Sequence, residues 1–210
     1  MKKLLIALAA CALGVQAETI DVPAGTVNRF LDLRIVRLGA TLAHEMSEAD
    51  WRSAEAAPGE AGEICVAGDH VLTTYYRNPE AIRANKIRVG GRIYHRTGDA
   101  GRLADGRLFL LGRASRVFRT QAGVWCYPAL VERALTGLAA STAGTVVQAA
   151  DGRAVLVLES GDPAAAEAEA ARLDPAVVPH DAVRVVARIP RDPRHASKID
   201  YGALEAVVRS

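Results

Sequence analysis

The segment IPRDPRHASKID, residues 189–200, contains one lysine, Lys198, close to the C-terminus. It follows a run rich in β-branched residues and precedes a short apolar pattern typical of a helix. A lysine ammonium is a compact charge on a flexible stem, and it can bridge a carboxylate and a phosphate. Most lysines, however, are solvated surface charges. The residue type alone leaves both interpretations of Lys198 open, and the other segments of the chain have to separate them.

Charge and composition argue against a nucleic-acid partner. The 26 Lys and Arg residues nearly balance the 24 Asp and Glu residues, for a formal net charge of +2, whereas nucleic-acid binding requires a strongly basic face. Aromatic residues make up only 5% of the chain, too few to predict a platform for stacked bases. Hydrophobic residues make up 50% of the chain, which is enough for a buried core.

The cysteines and histidines do not indicate a metal site. None of the cysteines, Cys11, Cys65 and Cys126, forms a CxxC pair, and the five histidines lack metal-ligand spacing. Cys65 and Cys126 lie within strand-like runs, so we predict that both are small buried hydrophobic residues.

Residues 1–17, MKKLLIALAACALGVQA, have the pattern of a secretory signal peptide. Two lysines precede an apolar run, and the small residues at its end favour cleavage after Ala17. Residues 8–11, LAAC, also resemble a lipobox, and an N-terminal helix from a wrongly assigned start is a third interpretation. The apolar run is too short to form a stable membrane span.

Strands and turns dominate the first half of the predicted secondary structure. Apolar patterns predict strands over 33–38 and 63–68, and an Asn-Pro pair predicts the start of a helix over 78–87. Residues 44–62 are acidic and rich in Ala, Gly and Pro, and the APGEAG within them is typical of a loop. An Asp-Gly pair at 105–106 predicts a hairpin turn, because it adopts the positive φ that such turns need.

From about residue 116 the predicted elements alternate in the order β-β-α-β-β-α-β-α, which is an α+β layer pattern. The individual predictions are a hairpin around Gly123, helices over 128–138, 162–173 and 200–208, and strands over 144–150, 153–160 and 182–190. The sequence therefore predicts an α+β fold, with a β-rich part followed by a small α+β domain.

Four segments, taken in order, resemble the C-terminal third of the adenylate-forming superfamily, which comprises acyl-CoA synthetases, acyl-AMP ligases, luciferases and the adenylation domains of peptide synthetases. They are GEICVAGDHVLTTYYRNPEAI (62–82), YHRTGDAGRL (94–103), GRASRVFRTQAGVWCYPALVE (112–132) and IPRDPRHASKID (189–200). The third and fourth look most like the fatty acyl-AMP ligase and olefin β-lactone synthetase branch. Within the third, Gly123, Pro128 and Glu132 look structural, as a turn, a helix start and a first-turn acid.

The resemblance implies a binding role for four residues. Lys198 corresponds to the lysine that bridges the acyl carboxylate and the phosphate of ATP. Thr97, Gly98 and Asp99 correspond to a turn that binds the nucleotide, where the carboxylate accepts hydrogen bonds from both ribose hydroxyls and the glycine lets the backbone come close. An ordinary Asx turn is the alternative for Asp99.

The resemblance also implies a domain arrangement. Residues 18–112 correspond to a β-rich remnant of the nucleotide-binding core, and residues 116–210 correspond to the C-terminal lid domain. Between them, Arg113 corresponds to an arginine that reaches the ribose or the phosphate, with a surface salt bridge as the alternative. Ser115 falls at the hinge, about 113–115, on which the lid rotates in this family.

Two motifs of the family are absent from the 210 residues: the phosphate-cradling Ser/Thr/Gly-rich loop, and the aromatic-Gly-x-Thr-Glu motif that contacts adenine and Mg²⁺. The resemblance therefore implies ATP-dependent activation of a fatty acyl carboxylate through acyl-AMP, by a truncated segment that is inactive without an N-terminal adenylation core. A non-catalytic exported or relic binding module is the alternative. The leader predicts export to the periplasm or outside, whereas chemistry that uses ATP predicts the cytoplasm.

Overall fold

The computed structural model describes residues 22–209, which form two compact units. We call residues 22–116 the N-terminal unit and residues 117–209 the C-terminal unit. The signal peptide predicted over residues 1–17 lies outside the described residues. Within residues 22–209, no helix is long and apolar enough to cross a membrane.

A seven-stranded, mostly antiparallel sheet forms the N-terminal unit. Its strands are β1 (Val22–Thr26), β2 (Asp32–Arg37), β3 (Glu45–Met46), β4 (Gly62–Ala67), β5 (Lys86–Val89), β6 (Arg92–Ala104) and β7 (Arg107–Arg113). The main path runs β1-β7-β6-β4-β2, while β5 pairs with β6 and with the short β3. Because β6 pairs with β4, β5 and β7, it is the strand around which this unit is organised.

Two local signals in this unit form as predicted. The hairpin turn between β6 and β7 contains Asp105 and Gly106, with φ values of +50° and +71°. The helix α2 (Pro79–Asn85) begins after Asn78, whose side-chain oxygen accepts a hydrogen bond from the Ala81 backbone N–H at 3.0 Å. Each signal is local chemistry, so it depends little on the rest of the fold.

The helix α1 (Glu48–Ala54) differs from the sequence analysis, which places no helix in residues 44–62. Ser47 caps it by accepting a hydrogen bond from the Asp50 N–H at 3.1 Å. The Trp51 side chain is 2% exposed, and its ring lies 4.7 Å from the Tyr94 ring of the sheet. Seven residues are too few for a clear helical period, and this packing stabilises the helix instead.

The C-terminal unit contains its elements in the predicted order β-β-α-β-β-α-β-α, and the α+β fold class is confirmed. They are β8 (Phe118–Arg119), β9 (Trp125–Cys126), α3 (Pro128–Ala134), β10 (Ala143–Gln148), β11 (Ala154–Glu159), α4 (Pro163–Ala170), β12 (Ala182–Val186) and α5 (Tyr201–Arg209). The strands β8 and β9 form a short hairpin. The other three form one sheet, in which β11 pairs antiparallel with β10 and parallel with β12.

Three of these elements end at least three residues before their predicted ends. The helix predicted over 128–138 ends at Ala134, the helix over 162–173 ends at Ala170, and the strand over 182–190 ends at Val186. Apolar residues beyond these ends still pack into the core, as Leu135 (4% exposed) and Ile189 (0%) do from irregular backbone. An apolar pattern therefore marks burial and overstates the length of the element.

The central strand β11 is buried on both faces. Leu156 and Leu158 pack into a cluster with Val131 of α3 and with residues of α4. Val155 and Val157 pack into a second cluster with Ile189 and with Leu204 of α5. The sheet is thus a middle layer, and the second cluster fixes both ends of the segment that carries Lys198.

Both cysteines of the described residues behave as predicted. Cys65 and Cys126 are fully buried and free, one in each unit. Burial raises the pKa of each thiol to about 12, so both stay protonated and unreactive near neutral pH. The prediction that they are small buried hydrophobic residues is confirmed.

Candidate functional site

The strand β6 changes its partner near its middle, and three predicted site residues lie at that point. On one side β6 pairs with β4. On its other side it pairs with β5 as far as His95 and with β7 from Asp99 onward. Residues 96–98 lie in the gap between these two partners, so the backbone there is less constrained by the sheet.

A bulge occupies this gap. Three consecutive residues of β6, 97–99, oppose the single residue Ile64 of β4. Gly98 has a φ of +73°, in the left-handed region that strains residues with a Cβ. The Thr97 hydroxyl donates to the Ile64 carbonyl at 2.9 Å and accepts the Asp99 N–H at 3.1 Å. One hydroxyl therefore replaces ladder bonds that the bulge interrupts.

The bulge places Asp99 beside Arg113, the last residue of β7. The two residues are paired in register, and Arg113 Nη1 lies 3.1 Å from Asp99 Oδ1. Their side chains are 41% and 66% exposed for Asp99 and Arg113, so the ion pair contributes little to stability. The second carboxylate oxygen and the remaining guanidinium N–H groups are still available to a ligand that carries hydroxyls or a phosphate.

A partly buried ion pair supports the bulge from the β4 side. Arg96 precedes the bulge, and Glu63 pairs in register with the residue that follows it. Arg96 Nη2 lies 2.6 Å from Glu63 Oε2, and the hydrogen bonds to the Glu63 carboxylate raise the pKa of Arg96. Arg96 Nη1 also donates to the Ala84 carbonyl of α2 at 3.4 Å. The sequence analysis missed both residues, because they lie 33 positions apart in the chain and no local pattern pairs them.

The predicted hinge residue Ser115 lies in a short 3-10 helix, Ala114–Arg116, directly after Arg113. It is exposed, and this helix ends the N-terminal unit. Rotation about residues 113–115 stays a prediction.

Lys198 lies in the C-terminal unit, on a loop that its own backbone closes. Residues Arg191 and Ile199 form an isolated β-bridge across the loop. The Lys198 carbonyl accepts the Asp192 N–H at 2.8 Å, and the Lys198 N–H donates to the His195 carbonyl at 2.8 Å. The Lys198 side chain is exposed. The loop therefore presents its ammonium to solvent from a backbone that is hydrogen-bonded on both sides of the residue.

Glu159, at the end of β11, anchors the chain that enters this loop. Its Oε2 accepts the Ile189 N–H at 2.7 Å and lies 3.8 Å from Arg191 Nη2, and its Oε1 accepts the Thr142 hydroxyl at 2.9 Å. Burial alone would raise the pKa of Glu159. The hydrogen bonds from Ile189 and Thr142 and the nearby charge of Arg191 outweigh burial and lower it below 4.5.

The structure thus brings four predicted site residues together: Thr97, Gly98, Asp99 and Arg113 share one end of the β6–β7 ladder. Lys198 and its anchors belong to the other unit. The described residues contain no group of three His, Cys, Asp or Glu side chains that could hold a metal ion.

The chain is similar in sequence to a bacterial synthetase and to a bacterial ligase. It is 38% identical over 178 residues to an olefin beta-lactone synthetase of Stenotrophomonas maltophilia, which covers 72% of the chain and 30% of that protein. It is 47% identical over 81 residues to a 2-succinylbenzoate–CoA ligase of Geobacillus kaustophilus, which covers 38% of the chain and 16% of that protein. No family model matches the sequence.

Solved structures share the fold. The O-succinylbenzoate coenzyme A synthetase of Bacillus subtilis in complex with AMP superposes with a TM-score of 0.62 at 25% identity, covering 90% of the chain and 35% of that protein. The ATP-bound MatB of Rhodopseudomonas palustris superposes with a TM-score of 0.60 at 21% identity, covering 89% of the chain and 36% of that protein. The match spans about a third of the length of the Stenotrophomonas synthetase and of both solved structures.

The bulge gives a first prediction. Thr97→Val keeps the shape of the side chain but leaves the Ile64 carbonyl and the Asp99 N–H without their partner. We expect the free energy of unfolding to fall by about 1–3 kcal/mol in urea titrations followed by circular dichroism. Thr97→Ser keeps the hydroxyl and should stay close to the wild type. An equal loss in both variants would contradict this role of the hydroxyl.

The Glu159 carboxylate gives a second prediction. Because its pKa is lower in the folded protein, ionised Glu159 stabilises the fold above pH 4.5 and this contribution is lost as the pH falls further. The melting temperature of Glu159→Gln should therefore fall less than that of the wild type between neutral pH and about pH 3. Glu167→Gln, which removes an exposed carboxylate of the same unit, is the control and should follow the wild type. Parallel curves for Glu159→Gln and the wild type would refute the assignment.

Proposed function

Since the chain belongs to the adenylate-forming ligase superfamily, as the C-terminal part of such an enzyme, we propose that it supplies one side of a site that activates a carboxylic acid with ATP. The observation that carries this proposal is the Asp99–Arg113 pair on the β6 bulge, where an exposed carboxylate and an exposed guanidinium are held in register. The alternative, a non-catalytic exported or relic binding module, gains no support from the ligases named above.

The bulge fits the sugar of a nucleotide. A ribose presents two neighbouring hydroxyls, and a carboxylate can accept hydrogen bonds from both. Asp99 keeps one oxygen outside its ion pair, and Gly98 has no Cβ to block the approach of a ligand. Arg113 adds a fixed positive charge that can reach the ribose or a phosphate oxygen. We therefore assign ATP and AMP binding to Thr97, Gly98, Asp99 and Arg113.

Lys198 fits the reacting end of the nucleotide. In adenylation, a carboxylate oxygen attacks the α-phosphorus of ATP, a new P–O bond forms, and the bond to the β-phosphate breaks as pyrophosphate leaves. Negative charge on the carboxylate and on the phosphate oxygens opposes this approach. An exposed ammonium on a hydrogen-bonded loop can lie between the two groups and stabilise the charge in the transition state.

Mg²⁺ accompanies ATP in this family, where it neutralises phosphate charge. The described residues offer it no cluster of acidic ligands, so no step of the proposal is assigned to a metal here.

The proposal requires a nucleotide-binding core in addition to these residues. The phosphate-cradling loop and the adenine-contacting motif of the family are absent from the 210 residues, and they would come from further residues of the same polypeptide or from a second one. The N-terminal unit exposes large apolar side chains that such a core could cover. They are Phe30 (66% exposed), Leu72 (63%) and Tyr76 (85%).

For the acid we propose a fatty acyl chain. The support is the resemblance of residues 112–132 and 189–200 to the fatty acyl-AMP ligase and olefin β-lactone synthetase branch, together with the 38% identity to an olefin beta-lactone synthetase. The residues that would contact the acyl chain belong to the core.

A complementation assay tests the proposal. We expect the chain to restore ATP–pyrophosphate exchange when it is mixed with the part of the Stenotrophomonas maltophilia synthetase that lies outside the match. Lys198→Ala should lower the exchange rate by about 100-fold or more, because the charge between carboxylate and phosphate is lost. Arg194→Ala removes another cation of the same loop, 85% exposed, and should leave the rate nearly unchanged. Absence of exchange with every adenylation core tried would refute the proposal.

The same assay tests the ribose assignment. Asp99→Asn keeps the size of the side chain but removes the charge that strengthens hydrogen bonds from the sugar, so KM for ATP should rise by about tenfold. Asp105→Asn makes the same change of charge in the exposed β6–β7 turn, where asparagine also tolerates a positive φ, and serves as the control. A KM that stays at the wild-type value in Asp99→Asn would refute the role of Asp99.

A further inference from the structure

Three elements of the C-terminal unit meet at a single carboxylate oxygen. Tyr201, the first residue of α5, donates its hydroxyl to Glu132 Oε1 of α3. Thr145 of β10 donates to the same oxygen at 2.9 Å, and its hydroxyl lies 3.0 Å from that of Tyr201. Thr145 is fully buried, and the other two residues are partly buried. We call these three residues the Glu132 cluster.

Glu132 makes more contacts than an acid at the start of a helix requires. The sequence analysis placed Glu132 in the first turn of a helix, and this is wrong, because Glu132 is the fifth residue of α3 and the first turn of α3 contains no acid. In the structure its side chain turns to β10 and α5 and accepts two hydroxyl hydrogen bonds at one oxygen. Apolar side chains of similar shape could fill this space without the cost of desolvating a carboxylate. What hydrogen bonds add is direction, because they hold one rotation of α5 against the sheet.

The start of α5 is continuous with the Lys198 loop. Tyr201 follows Lys198 by three residues, and the residue before it, Asp200, donates its N–H to the Pro190 carbonyl at 3.0 Å and accepts the Leu204 N–H through its carbonyl at 2.9 Å. Leu204 is fully buried against the sheet. The buried Leu204 side chain and the Tyr201 hydroxyl together fix the position of the first turn of α5. The position of this turn fixes the end of the Lys198 loop.

The loop is held at its other end by Glu159, which accepts the Ile189 N–H at 2.7 Å. Ile189 is fully buried in the same cluster as Leu204. Both ends of the segment 189–201 are therefore hydrogen-bonded to a carboxylate of the C-terminal unit. Ile189 donates to Glu159, and Tyr201 donates to Glu132. Between them the backbone of Lys198 is hydrogen-bonded on both sides.

We propose that Glu132, Thr145 and Tyr201 are positioning residues for Lys198: they fix the first turn of α5 and so hold the loop in the conformation in which its ammonium reaches the reacting groups. This proposal rests on the proposed function for its catalytic meaning. The conformational part stands on the contacts of the C-terminal unit alone, and the two parts are tested separately.

Amide hydrogen exchange on the full chain tests the conformational part. Tyr201→Phe and Glu132→Ala should speed the exchange of the Asp192, Lys198 and Asp200 amides by about tenfold, because a hydrogen bond to a charged acceptor is lost. The amides of Val146 and Leu156 in the sheet should keep their wild-type rates. Glu132→Gln retains an oxygen that accepts from both hydroxyls and should restore most of the protection.

The control is Tyr94→Phe, which removes a tyrosine hydroxyl from a carboxylate, Asp32, at 2.7 Å in the N-terminal unit. It should leave exchange in the loop unchanged. Unchanged loop exchange in Tyr201→Phe and Glu132→Ala would overturn the proposal. So would an equal acceleration in the loop and in the sheet, because that is the result expected of a residue that only stabilises the fold.

The complementation assay tests the catalytic part. Tyr201→Phe should lower kcat for ATP–pyrophosphate exchange by about tenfold with KM for ATP unchanged, since the ribose contact assigned to Asp99 stays intact and only the position of Lys198 is affected. A loosened loop with an unchanged kcat would overturn the positioning role. If Lys198→Ala itself leaves the rate of ATP–pyrophosphate exchange unchanged, the proposed function has failed. The amide hydrogen exchange result still decides whether the Glu132 cluster holds the loop.

Discussion

The arrangement of the N-terminal unit depends on one constraint, the need of β6 to serve three partner strands. On one side it must leave β5 and join β7, while on the other side it stays with β4. A regular strand would continue straight through this change. The bulge at Thr97, Gly98 and Asp99 absorbs it, with the Thr97 hydroxyl in place of ladder bonds and the Glu63–Arg96 ion pair beside it. The candidate nucleotide contact is therefore built where the sheet is irregular.

The C-terminal unit solves a different problem. Its central strand β11 is apolar on both faces, so each face of the sheet has to be covered by helices. Apolar contacts have little directional preference, and they allow a helix to rotate or slide by small amounts. The carboxylates of Glu132 and Glu159 add the direction that the core lacks, one at each end of the segment that carries Lys198. Partly buried carboxylates and a core buried on both sides thus have complementary roles.

Several features follow from the sequence because they depend on a few adjacent residues. The Asp105–Gly106 turn and the Asn78 cap form as predicted, and so does the order of elements in the C-terminal unit. The helix Glu48–Ala54 does not, because its stability comes from packing of Trp51 on Tyr94, which are far apart in the chain. Helix and strand ends are overestimated for the same reason, since residues such as Ile189 are buried by tertiary contacts from irregular backbone.

By itself, the sequence determined the fold class and the superfamily, because motifs and local turn chemistry are carried by residue type and spacing. Which residues do chemistry stays a prediction. It named Lys198, Asp99 and Arg113. Only the tertiary structure decided how these residues are held. The partner change of β6 depends on contacts between different strands, and Glu132 contacts Tyr201, which lies 69 positions away in the chain. No local pattern encodes such pairs. Their geometry is fixed only when the sheets and helices have packed.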